Sequence, residues 1–112
     1  MSSNSIDLDT LNELKEIMED EFTELVTVFI SDGIKQINDL RQAIAVSDDK
    51  LIRRIAHTIK GSSSNLGING LSELSKTLEY KAADNQLNDA EDLLQKINDE
   101  YEAVKKTLEE LI

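Results

Sequence analysis

The single histidine of this 112-residue chain, His57, lies in a stretch unlike the rest of it. Residues 50–72 hold Lys50, Arg53, Arg54 and Lys60 and no acidic residue, although the whole chain carries 23 Asp and Glu against 12 Lys and Arg. The segment therefore stands at +4 inside a chain of net charge −11, and the remainder stands at −15. Three of the four glycines, Gly61, Gly67 and Gly70, fall in the same stretch. An imidazole can act as a nucleophile or carry a proton near neutral pH, and a lysine ammonium serves a phosphoryl group as a point charge. Both belong to the chemistry of an anion brought to a side chain.

Whether these residues can act together depends on the helix that carries them. At about 100° per residue, Leu51, Ile52, Ile55, Ile59, Ser62 and Leu66 gather on one side, which faces a core. His57 falls opposite that side. Arg53, Lys60, Gly61 and Ser64 stand at i−4, i+3, i+4 and i+7 from it and share its exposed face. A glycine inside an exposed helical face costs the helix about 1 kcal/mol relative to alanine. At Gly61, one turn beyond His57, it also removes every side-chain atom that would block approach to the ring. A lone surface His or Lys usually does nothing specific, so the grouping carries the reading and no single member does.

The remaining apolar residues set the frame. Leu11, Leu14, Ile17 and Met18 predict a short first helix, opened by Asp9 or by a Thr10–Glu13 capping box. Phe22, Leu25, Val26, Phe29, Ile37, Leu40 and Ile44 give a long second helix that passes through Gly33. Ser47 or Asp48 caps the third helix, which ends near Gly67, a residue suited to a left-handed C-terminal turn. Asn69 or Gly70 opens a fourth, on Leu71, Leu74, Leu78 and Ala82. An Asn88–Glu91 capping box opens a fifth, on Leu93, Leu94, Ile97, Tyr101, Val104, Leu108 and Leu111. With connections this short, the expected fold is all-α: an antiparallel four-helix bundle with a short additional N-terminal helix, one domain over 1–112 with 1–7 flexible.

Composition removes whole classes of function. Leu, Ile, Val and Phe together number 33, enough for a core despite the charge. Cys is absent, which excludes disulfides, thiolate zinc sites and thiol catalysis, and one His cannot form a His-based metal cluster. A strongly acidic chain is repelled by nucleic acid and by anionic membranes. The first residues lack a signal peptide's basic and apolar regions, and Leu25 to Ile30 is too short to span a bilayer. A cytoplasmic protein is expected. Lys60-Gly61-Ser62-Ser63 is no phosphate-binding P-loop, since no strand precedes it and the glycine order is wrong. Ser62 to Ser64 share a helix with His57 and give no preorganised oxyanion hole.

The run Ala56-His57-Thr58-Ile59-Lys60-Gly61-Ser62-Ser63-Ser64-Asn65-Leu66-Gly67 closely resembles the signature of histidine-containing phosphotransfer domains. These relay phosphoryl groups in multistep two-component signalling. The resemblance covers the acceptor His, the Lys-Gly three and four positions on, the second Gly ten positions on, and the helix order of nearly the whole chain. It implies roles position by position. His57 would take the phosphoryl group from a receiver-domain aspartate, Lys60 would stabilise its charge, and Gly61 would admit the receiver. Gly67 would permit the tight exit from the helix.

The family often carries Gln or Glu on the next helix, bonded to the His ring; here the matching residue is Glu79, on a helix flank with Ser72, Lys76 and Ala83. A carboxylate there would fix the ring tautomer and raise the basicity of the attacking nitrogen. Ser64 would border the docking surface, and Arg53, with Arg54 second to it, would attract the acidic receiver site. No cofactor is implied for this chain, the Mg²⁺ being the receiver's. The resemblance thus implies a stand-alone, monomeric phosphoryl carrier without kinase activity, whose partners are receiver domains of hybrid sensor kinases and response regulators. Two alternatives stay open on the sequence: an adaptor of the same fold that works by contact alone, and an unrelated acidic bundle in which His57 is incidental.

Overall fold

Spacings of three and four between apolar residues become five helices. The structure, a computed structural model, describes residues 5–112 and comprises α1 (Leu8–Met18), α2 (Asp20–Ala45), α3 (Asp49–Asn65), α4 (Asn69–Ala83) and α5 (Ala90–Leu111). No strand occurs among the described residues. Each of α2 to α5 packs on its successor and α5 returns to α2, which closes an antiparallel four-helix bundle, while α1 lies against α2. The core runs through the middle of all four: Phe22 and Val26 of α2, Ile52 of α3, Leu78 of α4, and Ile97 and Val104 of α5 are almost wholly enclosed. No helix among the described residues is long and apolar enough to cross a membrane.

Helix starts depart from the sequence expectation at both ends. The cap of α1 is Asp7, whose carboxylate accepts from the Thr10 backbone N–H at 3.2 Å and from the Thr10 hydroxyl at 2.9 Å. Asp9 and the Thr10–Glu13 box do not open the helix. The reason is tertiary: the Asp7 N–H donates to the Gly67 carbonyl at 2.8 Å, which holds Asp7 in an extended conformation. The Gly70 N–H likewise donates to the Ser5 carbonyl at 2.9 Å. Within the stretch 1–7, Ser5 and Asp7 thus each make a backbone hydrogen bond to the α3–α4 turn region, and residues 1–4 lie outside the described residues. The Asn88–Glu91 box does not form either; α5 starts after Asp89 with no side-chain cap. Asp48 does cap α3, accepting from the Leu51 N–H at 3.2 Å.

The α3–α4 turn carries the site helix directly into its neighbour. Gly67 has φ +72°, the Ile68 N–H donates to Ser63 O at 2.9 Å, and the Gly67 N–H to Ser64 O at 3.1 Å. This is the paired bonding of a Schellman ending, which needs a left-handed residue at that point.

Gly33 shows a different use of glycine. Tyr101 of α5 is buried against it and donates its hydroxyl to the Ile30 carbonyl, and burial pushes that hydroxyl up to about 12. A Cβ at Gly33 would collide with the edge of the Tyr101 ring and stand 3.1–3.2 Å from two further ring atoms. The ring is almost wholly buried and is held by its hydrogen bond. Gly33→Ala is therefore expected to lose about 1–2 kcal/mol of stability, overpacking outweighing the gain in helix propensity. Urea unfolding measures this, and a variant as stable as the parent would contradict it.

Candidate functional site

The face of α3 that carries His57 looks outward beside α4. Its side chain is 66% exposed, which an attacking nucleophile needs. Glu79 approaches from α4. Its Oε2 lies 2.8 Å from His57 Nδ1 and its Oε1 lies 2.8 Å from Lys60 Nζ, while the Glu79 side chain itself is only 12% exposed. One buried carboxylate thus joins the imidazole and the ammonium, which stand three residues apart on α3. The Lys60–Oε1 approach is a charge pair that lies outside hydrogen-bond angles, and Oε1 is otherwise enclosed.

The electrostatics follow from that arrangement. Burial would push the Glu79 carboxyl up, but Lys60 and the bond to His57 outweigh it and hold the group below its ordinary value. Glu79 is therefore ionised and can only accept hydrogen bonds. In the neutral ring the proton must sit on Nδ1, which leaves the Nε2 lone pair free. The neighbouring carboxylate in turn holds the Lys60 ammonium above its usual value, against a smaller effect of desolvation. The result is an exposed nucleophilic nitrogen beside a fixed positive charge.

The other residues singled out by sequence fall around this centre. Gly61 is exposed, and a Cβ built there would meet nothing within 4 Å. Ser64 is exposed one turn further along the same face. Arg53 is exposed and lines a cleft of about 470 Å³ with Lys50, Arg54, His57 and Glu79. Among the described residues, Lys50, Arg53 and Arg54 make no ion pair. A larger groove of about 560 Å³ between α2 and α3 includes Val46, Leu51 and Ile55 but not His57. The smaller cleft is the one that brings the imidazole and the Glu79 carboxylate together with Lys50, Arg53 and Arg54.

One serine departs from the helical-wheel expectation. Ser62, assigned to the core side, is half-buried and returns its hydroxyl to the Thr58 and Ile59 carbonyls; Ser63 is the fully buried one. On α3, Ala56 and Ser63 are small and fully buried, and α3 packs most extensively on α4. The Ser72 hydroxyl of α4 donates to the Lys60 carbonyl at 3.3 Å. The 3-4 spacing of Ser72, Ser75 and Glu79 is the signal that could have marked this contact face. Among the described residues no cluster of three or more His, Asp or Glu could hold a metal ion.

Comparison with known proteins identifies the family. No curated protein matches the chain in sequence. Among solved structures it is similar to histidine-containing phosphotransfer protein B (HptB) from Pseudomonas aeruginosa PAO1, with a TM-score of 0.93 and 31% identity. The match covers 97% of this chain and 95% of that one. The Hpt domain model matches residues 24–107, which span α3 and α4 with every residue of the His57–Lys60–Glu79 group. With a helical bundle, an exposed histidine and a family match over most of its length, the chain belongs to the Hpt domain family.

Proposed function

We propose that His57 is the phosphoacceptor of a phosphorelay, taking a phosphoryl group from the aspartyl phosphate of one receiver domain and passing it to the aspartate of another. The observation that carries this reading is the pairing of an exposed His57 ring with a buried carboxylate on Nδ1, which leaves Nε2 free to attack. In the forward step Nε2 forms a bond to phosphorus as the bond from phosphorus to the aspartate oxygen breaks, and the aspartate leaves as a carboxylate. The Nδ1 proton stays on the ring, shared with Glu79, and the positive charge that develops there faces that carboxylate. The reverse step follows the same path: an aspartate oxygen bonds to phosphorus as the Nε2–phosphorus bond breaks, and the ring, still protonated on Nδ1, leaves as neutral imidazole.

Lys60 lies on the approach face and offsets the phosphoryl charge, so the protein's contribution is positioning and electrostatics. Gly61 and Ser64 border the surface the receiver meets, and Arg53 draws its acidic site. The Mg²⁺ belongs to that receiver, and this chain acts as a carrier rather than an ATP-dependent kinase. The same reading has it work as a monomer in the cytoplasm, without nucleic acid or membrane, since a chain at −11 is repelled by both.

The test is to incubate the protein with a panel of phosphorylated receiver domains and look for label that is acid-labile and base-stable. Transfer from at least one receiver is expected. A folded protein that takes no label across a broad panel overturns the carrier reading and favours the contact-only adaptor.

A further inference from the structure

The Glu79 carboxylate can meet His57 and Lys60 together only if α4 lies close to α3. The residues along that contact are small. On α4, Ser72, Ser75 and Glu79 follow one another at i, i+3 and i+7 on one face; on α3, Ala56, Lys60 and Ser63 do the same at i, i+4 and i+7. Ala56, Ser63 and Ser75 are completely buried, and α3 and α4 form the most extensive helix pair of the bundle.

Two α4 side chains place the two faces against each other: Glu79, through His57 and Lys60, and Ser72, through its hydroxyl on the Lys60 carbonyl. Ser75 sits between Ser72 and Glu79 on that face. Its hydroxyl is buried and has no partner, and so is that of Ser63. A buried unpaired hydroxyl is unfavourable, so hydrogen bonding does not explain Ser75. Its small size does. A longer side chain there would wedge the helices apart one turn before Glu79.

We propose that Ser75 and Ser72 are positioning residues for phosphoryl transfer. Ser75 sets the separation of α3 and α4, and Ser72 ties α4 to the backbone of Lys60, so that the Glu79 carboxylate is delivered between the ring and the ammonium. Neither serine touches the phosphoryl group. This rests on the reading of His57 as acceptor with its tautomer held by Glu79. It adds that the tautomer is decided by the helix spacing as well as by the carboxylate.

The readout is the His57 tautomer, from ¹⁵N shifts of the full chain, together with the transfer rate from a phosphorylated receiver. Ser75→Ala keeps the space and removes only the unpaired hydroxyl; the parent tautomer and a rate within about twofold are expected. Ser75→Leu is expected to move the tautomer populations toward those of Glu79→Ala and to slow transfer by on the order of tenfold to a hundredfold, as for a misplaced catalytic group. A folded Ser75→Leu protein with the parent tautomer and rate overturns the inference. Should Ser75→Leu fail to fold, Ser72→Val decides in its place, since it adds bulk at the less enclosed end of the face and removes the bond to Lys60. If Glu79→Ala leaves the tautomer unchanged, the role given to Glu79 fails, and the serine inference fails with it. A tautomer that responds to Glu79→Ala but to neither serine variant sinks the serine inference alone.

Discussion

His57→Gln is expected to abolish acid-labile, base-stable labelling by any receiver that labels the parent protein, with thermal unfolding nearly unchanged. The chain contains one histidine, so phosphohistidine in this protein can form nowhere else. The glutamine side chain is of comparable reach and keeps an amide donor for the Glu79 carboxylate, so the buried charge is not left without a partner. His57 is largely exposed, and substitutions on such a surface usually change stability by no more than about 0.5 kcal/mol. What is lost is the nucleophile, because an amide nitrogen has its lone pair delocalised into the carbonyl. Label that persists on His57→Gln with the same acid lability would show that the acceptor lies elsewhere. Label that becomes acid-stable would report a hydroxyl side reaction and leave the assignment of His57 intact.

Gly61→Leu is expected to separate stability from transfer in opposite directions. A Cβ at Gly61 meets nothing within 4 Å, so alanine meets no neighbour within this chain and leucine starts from open, exposed space. Glycine is disfavoured in a helix interior by about 1 kcal/mol relative to alanine, and leucine is nearly as favourable as alanine. Both variants are therefore expected to unfold at higher urea than the parent. Transfer behaves otherwise. Gly61 stands one turn from His57 on the face a receiver must meet, and leucine there holds the partner's phosphorus away from Nε2. A displacement of about 1 Å from productive geometry can cost on the order of a hundredfold in rate, and that is the size of effect expected for leucine. Alanine, with a single methyl, falls between. A Gly61→Leu protein that is more stable and transfers at the parent rate would remove the account of Gly61 given above. The same Gly→Ala change thus stabilises at Gly61 and destabilises at Gly33, where Tyr101 fills the space.

The helices and the reactive face were legible in the sequence because both are local. Apolar residues three and four apart define which side of each helix is buried, and this depends on nothing beyond the helix itself. The same periodicity placed His57, Lys60, Gly61 and Arg53 on the opposite side of α3, in a stretch where the acidic residues stop. The helix starts were less legible. Asp7 caps α1 because Gly67, far along the chain, accepts its N–H, and no local pattern contains that bond. The left-handed turn at Gly67 was anticipated from the residue type, but its second use as the anchor for the N-terminal segment was not.

The centre itself divides along the same line. One histidine, one lysine three residues on and a bare turn after it are facts of a single helix, and they determine that an open imidazole lies beside a positive charge. That Glu79, 22 residues away, places one oxygen at Nδ1 and the other at Lys60 is a fact of two helices. It depends on how closely α4 approaches α3, and therefore on the small volumes of Ala56, Ser63 and Ser75, which no charge announces. Periodicity assigns a residue to a face, whereas the distance between two faces is set by the side chains packed between them. By itself the sequence determined which nitrogen-bearing ring is exposed; only the packing of α3 on α4 decided which of its two nitrogens is left free.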